Sequence, residues 1–337
     1  MKKVVIALLV LAALVLPVFT QGGSEQQLSL VVYASVDESN TVKLLDAFTA
    51  DTGIQVDYVH LSSGPALSRI EAEAGNPQAD VWFGAPSDNH MTLKAEGLSV
   101  PYVSKTLKAL ADDYKDAEGY WRVFYINPIC FGINVDALKK AGASVPTSWE
   151  DLLKPEYKGL IQAPTPQSAG TGKNMVYGLI ELMGEDAAYK YMAKLNKNIQ
   201  TYTSSGTGPS KAVKVGDCAI GIQFTPAYFE HIADGANEMV VFPKEGVSYE
   251  SAAISILKGC KNTEAAQIFV DWMTGKKGQD AMAETGTFNY PILKGAALGQ
   301  GMPEFKSLNT IYLDMPAYAA KMSQIVERWT NEVLTAK

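Results

Sequence analysis

Leu28-Ser29-Leu30-Val31-Val32-Tyr33 runs straight into Ala34-Ser35-Val36-Asp37-Glu38-Ser39-Asn40, and an apolar stripe of Val42, Leu44, Leu45 and Phe48 follows before Gly53. The short apolar run reads as a buried strand, the polar stretch as a loop, and the stripe as a helix stopped by glycine. Moving outward along the chain, the same order returns twice. Ile54 to Leu61 alternates as a second strand and meets Ser62-Ser63-Gly64-Pro65 before a helix through Ile70. Ala79 to Phe83 is a third strand, ending at Gly84-Ala85-Pro86-Ser87-Asp88 ahead of another helix. This threefold succession predicts an α/β doubly wound sheet, in which ligands meet the carboxyl ends of the strands.

Further on, Ser168-Ala169-Gly170-Thr171-Gly172 and Ser204-Ser205-Gly206-Thr207-Gly208 repeat one pattern, S-(A/S)-G-T-G. Each follows a short apolar run and opens a helical one. Glycine lets the backbone approach a guest with no Cβ in the way. Free N–H groups at a helix start, joined by Ser and Thr hydroxyls, form an anion pocket. A capping loop explains one such unit; two in one chain favour a binding site. Pro65, Pro209 and Pro226 sit at or near helix starts, so several helix N-termini are expected along one edge, where their dipoles favour a negative group. No G-K-[ST] follows either unit, so the phosphate loop of nucleotide hydrolases is not matched. Between and beyond these units lie a long extended stretch, Arg122 to Asn134, strands over Cys218 to Phe224 and Ser251 to Leu257, and two helical stretches after Tyr290-Pro291.

A chain of 337 residues with 47% hydrophobic and 19% charged content is a globular protein, and its net charge of −7 argues against nucleic acid or anionic lipid as the main partner. Lys2 and Lys3 precede the apolar run Val4 to Phe19 and the polar Thr20 to Ser24. That order predicts a secretory leader over 1–22 and an extracytoplasmic, periplasmic protein; an uncleaved anchor is the alternative, for which the run is short. No cysteine stands near the junction, which excludes a cysteine-linked lipid anchor. Cys130, Cys218 and Cys260 form no disulfide framework and no metal spacing, and the first two are expected to be buried in apolar strands.

The chain resembles the bacterial periplasmic solute-binding proteins of ABC importers, and within the two-lobed type II class it is similar to the ferric-ion and phosphorylated-solute branch. The resemblance rests on Leu30-Val31-Val32-Tyr33-Ala34-Ser35, Ala79-Asp80-Val81-Trp82-Phe83-Gly84, Trp149-Glu150-Asp151-Leu152 and Ala265-Ala266-Gln267-Ile268-Phe269-Val270-Asp271-Trp272, and it covers nearly all of the mature chain. It implies two lobes, each a sheet flanked by helices, with a ligand cleft between them that closes by a hinge. Residues 27–106 and 244–290 are expected in lobe 1, and 107–243 and 291–337 in lobe 2, with the C-terminal helices packed on the latter. It further implies a monomer that delivers a small anionic solute to a membrane permease, with no cofactor and no catalysis.

The expected site carries a phosphate, phosphonate or carboxylate group on Ser168, Ala169, Gly170, Thr171, Ser205, Gly206 and Thr207, with Thr225 nearby and Ser35, Ser62, Ser63 and Ser87 closing from the other lobe. Ferric-binding members resemble one another in adjacent tyrosines where this chain has Thr225-Pro226. An iron site with a synergistic anion would therefore draw on Tyr228, Glu230 and Asp37 instead. Glu230 and Asp37 are alternatively receivers of an amine or of sugar hydroxyls, or a solvated helix face and a helix-start charge. Lys173 and Arg69 are expected on helical surface, and Tyr33, Trp82 and Tyr202 in the core. His60 and His90 have no metal-ligand spacing. A secreted phosphate-ester hydrolase is a remote alternative, because no G-x-S-x-G or H-E-x-x-H set is present.

Overall fold

The computed structural model describes residues 28–336, so the expected leader at 1–22 lies outside the described residues. The strands are β1 (Ser29–Ser35), β2 (Gln55–His60), β3 (Val81–Pro86), β4 (Ser99–Val100), β5 (Arg122–Asn134), β6 (Ile161–Pro164), β7 (Ile199–Thr203), β8 (Ile220–Phe224), β9 (Glu238–Val241), β10 (Tyr249–Leu257) and β11 (Tyr290–Pro291). The helices are α1 (Glu38–Thr52), α2 (Ser63–Ala72), α3 (Ser87–Ala95), α4 (Lys105–Ala109), α5 (Val135–Ala141), α6 (Gly170–Met183), α7 (Glu185–Leu195), α8 (Gly208–Lys214), α9 (Pro226–Ala233), α10 (Thr263–Thr274), α11 (Lys276–Glu284) and α12 (Met315–Trp329). Where two C-terminal helical stretches are expected, α12 runs on through one wide turn, Thr330–Leu334, and most of the segment before it is irregular.

The opening segment folds as its pattern dictates. Asp37 caps α1 by accepting the Ser39 amide at 3.0 Å, and Gly53, at φ 76°, ends it in the left-handed conformation that glycine adopts without a Cβ penalty. The apolar stripe turns Leu44, Leu45 and Phe48 inward. Phe48 meets Phe269 edge to face at 4.9 Å, and truncating so buried a ring costs about 3 to 5 kcal/mol.

The strand order is β2-β1-β3-β10-β5-β8-β6-β7. β1 pairs in parallel with β2 and β3, while β10 runs antiparallel to β3 and β5. One strand serves two sheets. β5 pairs with β10 over Arg122 to Pro128 and with β8 from Ile129 to Ile133. Pro128 has no N–H to give a ladder, so the first pairing ends there; Ile129 donates instead to the Ser248 carbonyl at 2.8 Å. Each sheet has its own core. The first packs Leu30, Phe48, Phe83, Phe124, Phe269 and Met273. The second packs Phe131, Trp149, Val176, Tyr189 and Ile220, and Tyr318, Ile325 and Trp329 of α12 join it.

Candidate functional site

A cleft opens between the two sheets at the carboxyl ends of their strands. From the first sheet it receives Ser35, Asp37, Ser62 and Ser63; from the second, Ala169, Gly170, Thr171, Ser205, Gly206 and Thr207. The two glycine-rich turns touch one another. Ser168 donates its hydroxyl to the Ser204 carbonyl at 2.7 Å, and a Cβ on Gly206 would fall on the Thr171 hydroxyl. They also touch the facing lobe. The Gly64 amide donates to the Ser168 carbonyl at 3.1 Å, and a Cβ on Gly170 would lie 2.6 Å from Pro86 Cδ and 2.7 Å from Ser63 Oγ. Glycine is required at this approach by contact, not by dihedral angle.

Two helix starts at this edge, those of α2 and α6, have no side-chain cap. Ala169 has no side chain to fold back on α6, and Ser62 makes no side-chain bond to the amides of α2. The first N–H groups of α6 and the Ser63 N–H of α2 are therefore left for a guest, the Gly64 amide being already bound to Ser168 and Pro65 having none. Ser35 Oγ accepts the Trp82 indole N–H at 3.0 Å, so the Ser35 hydroxyl proton remains to be donated. Among the described lining residues there is no lysine or arginine. A bound anion would meet amide and hydroxyl dipoles rather than a counter-cation.

The floor of the cleft holds polar groups that escape the sequence reading: Asn40, Tyr125, Asn127, Glu250 and Asn289. Asn127 Nδ2 donates to Glu250 Oε1 at 3.1 Å and to Asn289 Oδ1 at 2.8 Å. Asn40 Oδ1 and Asn289 Nδ2 are buried with no partner. Burial pushes the Glu250 carboxyl up to about 8, against the lowering effect of the hydrogen bonds from Asn127 and Tyr125. The available signal is a polar residue inside an otherwise apolar strand: Asn127 interrupts the run from Arg122 to Asn134, and Glu250 heads the run to Leu257.

Other expected residues stand elsewhere. Ser168 spends both its hydroxyl and its carbonyl in the contacts just described. Ser87 is buried at the start of α3 and faces a separate cavity with Met91 and Trp121. Thr225 is buried, its hydroxyl without a partner. Tyr228 packs in the core beside Cys130, Cys218 and Val213, because Gly132 and Gly221 leave its ring room. Glu230 Oε1 is held by Lys43 Nζ at 2.5 Å. Asp37, Tyr228 and Glu230 thus do not form one metal shell, and the described residues contain no His/Cys/Asp/Glu group that could hold a metal ion. Lys173 is buried rather than on the surface, since the first turns of α6 lie inside; its Nζ donates to Asn89 Oδ1 at 3.3 Å, and burial lowers its pKa. Arg69 stays on the surface, paired with Glu73 at 2.8 Å. Tyr33 and Trp82 are buried, and Tyr202 packs edge-on against Trp329 at 5.0 Å. Cys130 and Cys218 are free and buried, the latter thiol pushed up to about 12 by burial.

This geometry has known relatives. The periplasmic binding protein AfuA from Actinobacillus pleuropneumoniae, solved with exogenous fructose-6-phosphate bound, superposes with a TM-score of 0.87 and is 30% identical, covering 91% of this chain and 98% of that one. An Fe(3+)-binding periplasmic protein of Serratia marcescens is 26% identical over 96% of this chain and 95% of its own length. A putative 2-aminoethylphosphonate-binding periplasmic protein of Salmonella typhimurium is 29% identical over 71% of this chain and 70% of its own. These relatives are binding proteins of the periplasm, and the two-lobed type II fold is shared with them. The family described as bacterial extracellular solute-binding protein matches residues 76–315. The chain is a member of that family of solute-binding proteins.

Proposed function

We propose that the cleft captures a small solute by its phosphate, phosphonate or carboxylate group and closes over it, and that the chain serves an ABC importer by presenting the closed complex to a membrane permease. The leader at 1–22 would export it, and no chemical step is required. One observation carries the reading: the uncapped N-termini of α2 and α6 and the two glycine-rich turns meet at a single cleft. The hinge then lies where β5 changes sheets, at Pro128, so that 107–128 moves with lobe 1 rather than with lobe 2.

The floor favours a hydroxylated phosphate ester over an amine. Asn40 Oδ1 awaits a donor and Asn289 Nδ2 awaits an acceptor; one hydroxyl is both, whereas an ammonium only donates. The fructose-6-phosphate seen in AfuA supports this choice. The iron of the Serratia relative is not carried over, since Tyr228 is buried in the core and Glu230 is held by Lys43. Calorimetry with fructose 6-phosphate, 2-aminoethylphosphonate and orthophosphate tests the reading. Binding of the sugar phosphate above the other two is expected. Heat from ferric salt alone, with a visible charge-transfer colour, would overturn it.

A further inference from the structure

α1 is anchored to the first sheet through Leu44, Leu45 and Phe48, and α9 to the second through Tyr228. Their exposed sides meet beside the cleft. Lys43 Nζ donates to Glu230 Oε1 at 2.5 Å and to the Gly286 carbonyl at 3.2 Å. Ser39 Oγ lies 3.1 Å from Glu230 Oε2 and 2.9 Å from Asp37 Oδ1. A hydroxyl has one proton, so Ser39 serves one of these carboxylates at a time. Among the ion pairs of the described residues, Lys43–Glu230 is the one that joins an element of the first sheet to an element of the second. Every other pair could survive an opening of the cleft; this one has to break.

We propose that Lys43 and Glu230 form a latch that biases the lobes shut, with Ser39 linking it to Asp37 at the cleft wall, so that opening and solute release quicken as salt rises. The latch rests on the lobe closure proposed above, but not on the identity of the solute. Its two side chains are 33% and 18% exposed, so mobile ions reach them. A partly exposed pair of this kind shifts an equilibrium by a small factor, enough to tune a closure and too little to prevent it.

The Gly64 amide reports on the latch without touching it, because its bond to the Ser168 carbonyl crosses the cleft between α2 and the turn before α6. Hydrogen exchange of this amide is followed in the ligand-free protein. Glu230→Gln and Lys43→Met are each expected to speed it about two- to five-fold. Sodium chloride raised from about 20 mM to about 500 mM, which shortens the screening length several-fold, is expected to speed it similarly in the unaltered chain but not in either variant. The exchanged pair, Lys43→Glu with Glu230→Lys, is expected to restore slow exchange at low salt. A Gly64 rate indifferent to both substitutions and to salt would overturn the latch. Since no solute is present, a failure of the anion pocket would show only in the calorimetry, and the two outcomes stay separate.

Discussion

Gly206 lines the cleft and is the residue that tests the proposed anion pocket most directly. Gly206→Asp puts a carboxylate where the solute's negative group would sit, and its Cβ falls on the Thr171 hydroxyl. Loss of measurable binding with an unchanged circular dichroism spectrum is expected; retained affinity would refute the pocket. Tyr228 is the opposite case. Its hydroxyl is buried with no partner, so Tyr228→Phe removes an unsatisfied group and is expected to leave solute binding intact and the melting temperature equal or higher. A ligand role would show as lost binding. Glu250 imposes a pH dependence. Its carboxyl rises from 4.5 in the unfolded chain to about 8 in the folded one. Between those values the folded state holds the proton that the unfolded state has lost, so stability is full below the lower value and declines as pH rises to the upper. At its steepest the decline is about 1.4 kcal/mol per pH unit. Glu250→Gln is expected to flatten it in denaturant titrations across this range; an unchanged slope would assign it to another group.

Turns and strands announce themselves differently. The glycine-rich turns before α6 and α8 were legible because glycine, serine and threonine at a helix start have few structural reasons to recur together, and the three βα units because a 2-to-3.6 change of period is hard to mistake. Asn127 and Glu250 were not legible as cleft residues, because a strand's two faces look alike until its neighbours are known. The same ignorance misplaced Lys173, whose helix is wrapped on all sides near its start, and Tyr228, whose room in the core is made by Gly132 and Gly221 on two other strands. The crossing in β5 was half visible: Arg122 to Asn134 reads as one long extended stretch, but only pairing shows that the ladder changes partner at Pro128. At this crossing Pro128→Ala supplies an N–H and relaxes a fixed φ. It is expected to lower the melting temperature modestly while leaving the solute contacts in place, which thermal unfolding and calorimetry on one sample would separate.

Two sheets with separate cores, joined by a shared strand, are two bodies that a cleft ligand can draw together. The closed arrangement is held by hydrogen bonds such as Gly64 to Ser168, by the Lys43–Glu230 pair and by the stacking of Phe229 on Phe288 at 6.4 Å. On the proposed reading a guest would draw donors from each lobe that the other cannot replace, so that binding and closure would be one event. Gly170 sits at the tightest point, where an added methyl would lie 2.6 Å from Pro86 Cδ. Alanine suits the first turn of α6 at least as well as glycine, so Gly170→Ala should not unfold the protein. It should instead hold the lobes apart by the width of that methyl. The expected outcome is an unchanged melting temperature, an affinity for fructose 6-phosphate weaker by about tenfold or more, and loss of the compaction that the sugar phosphate is expected to cause in small-angle scattering of the unaltered chain. A compact chain of 337 residues has a radius of gyration of about 20 Å, against which a hinge closure is measurable. If Gly170→Ala binds as tightly and compacts as fully as the unaltered protein, the turns do not meet the facing lobe in the bound state, and solute capture would have to proceed without closure.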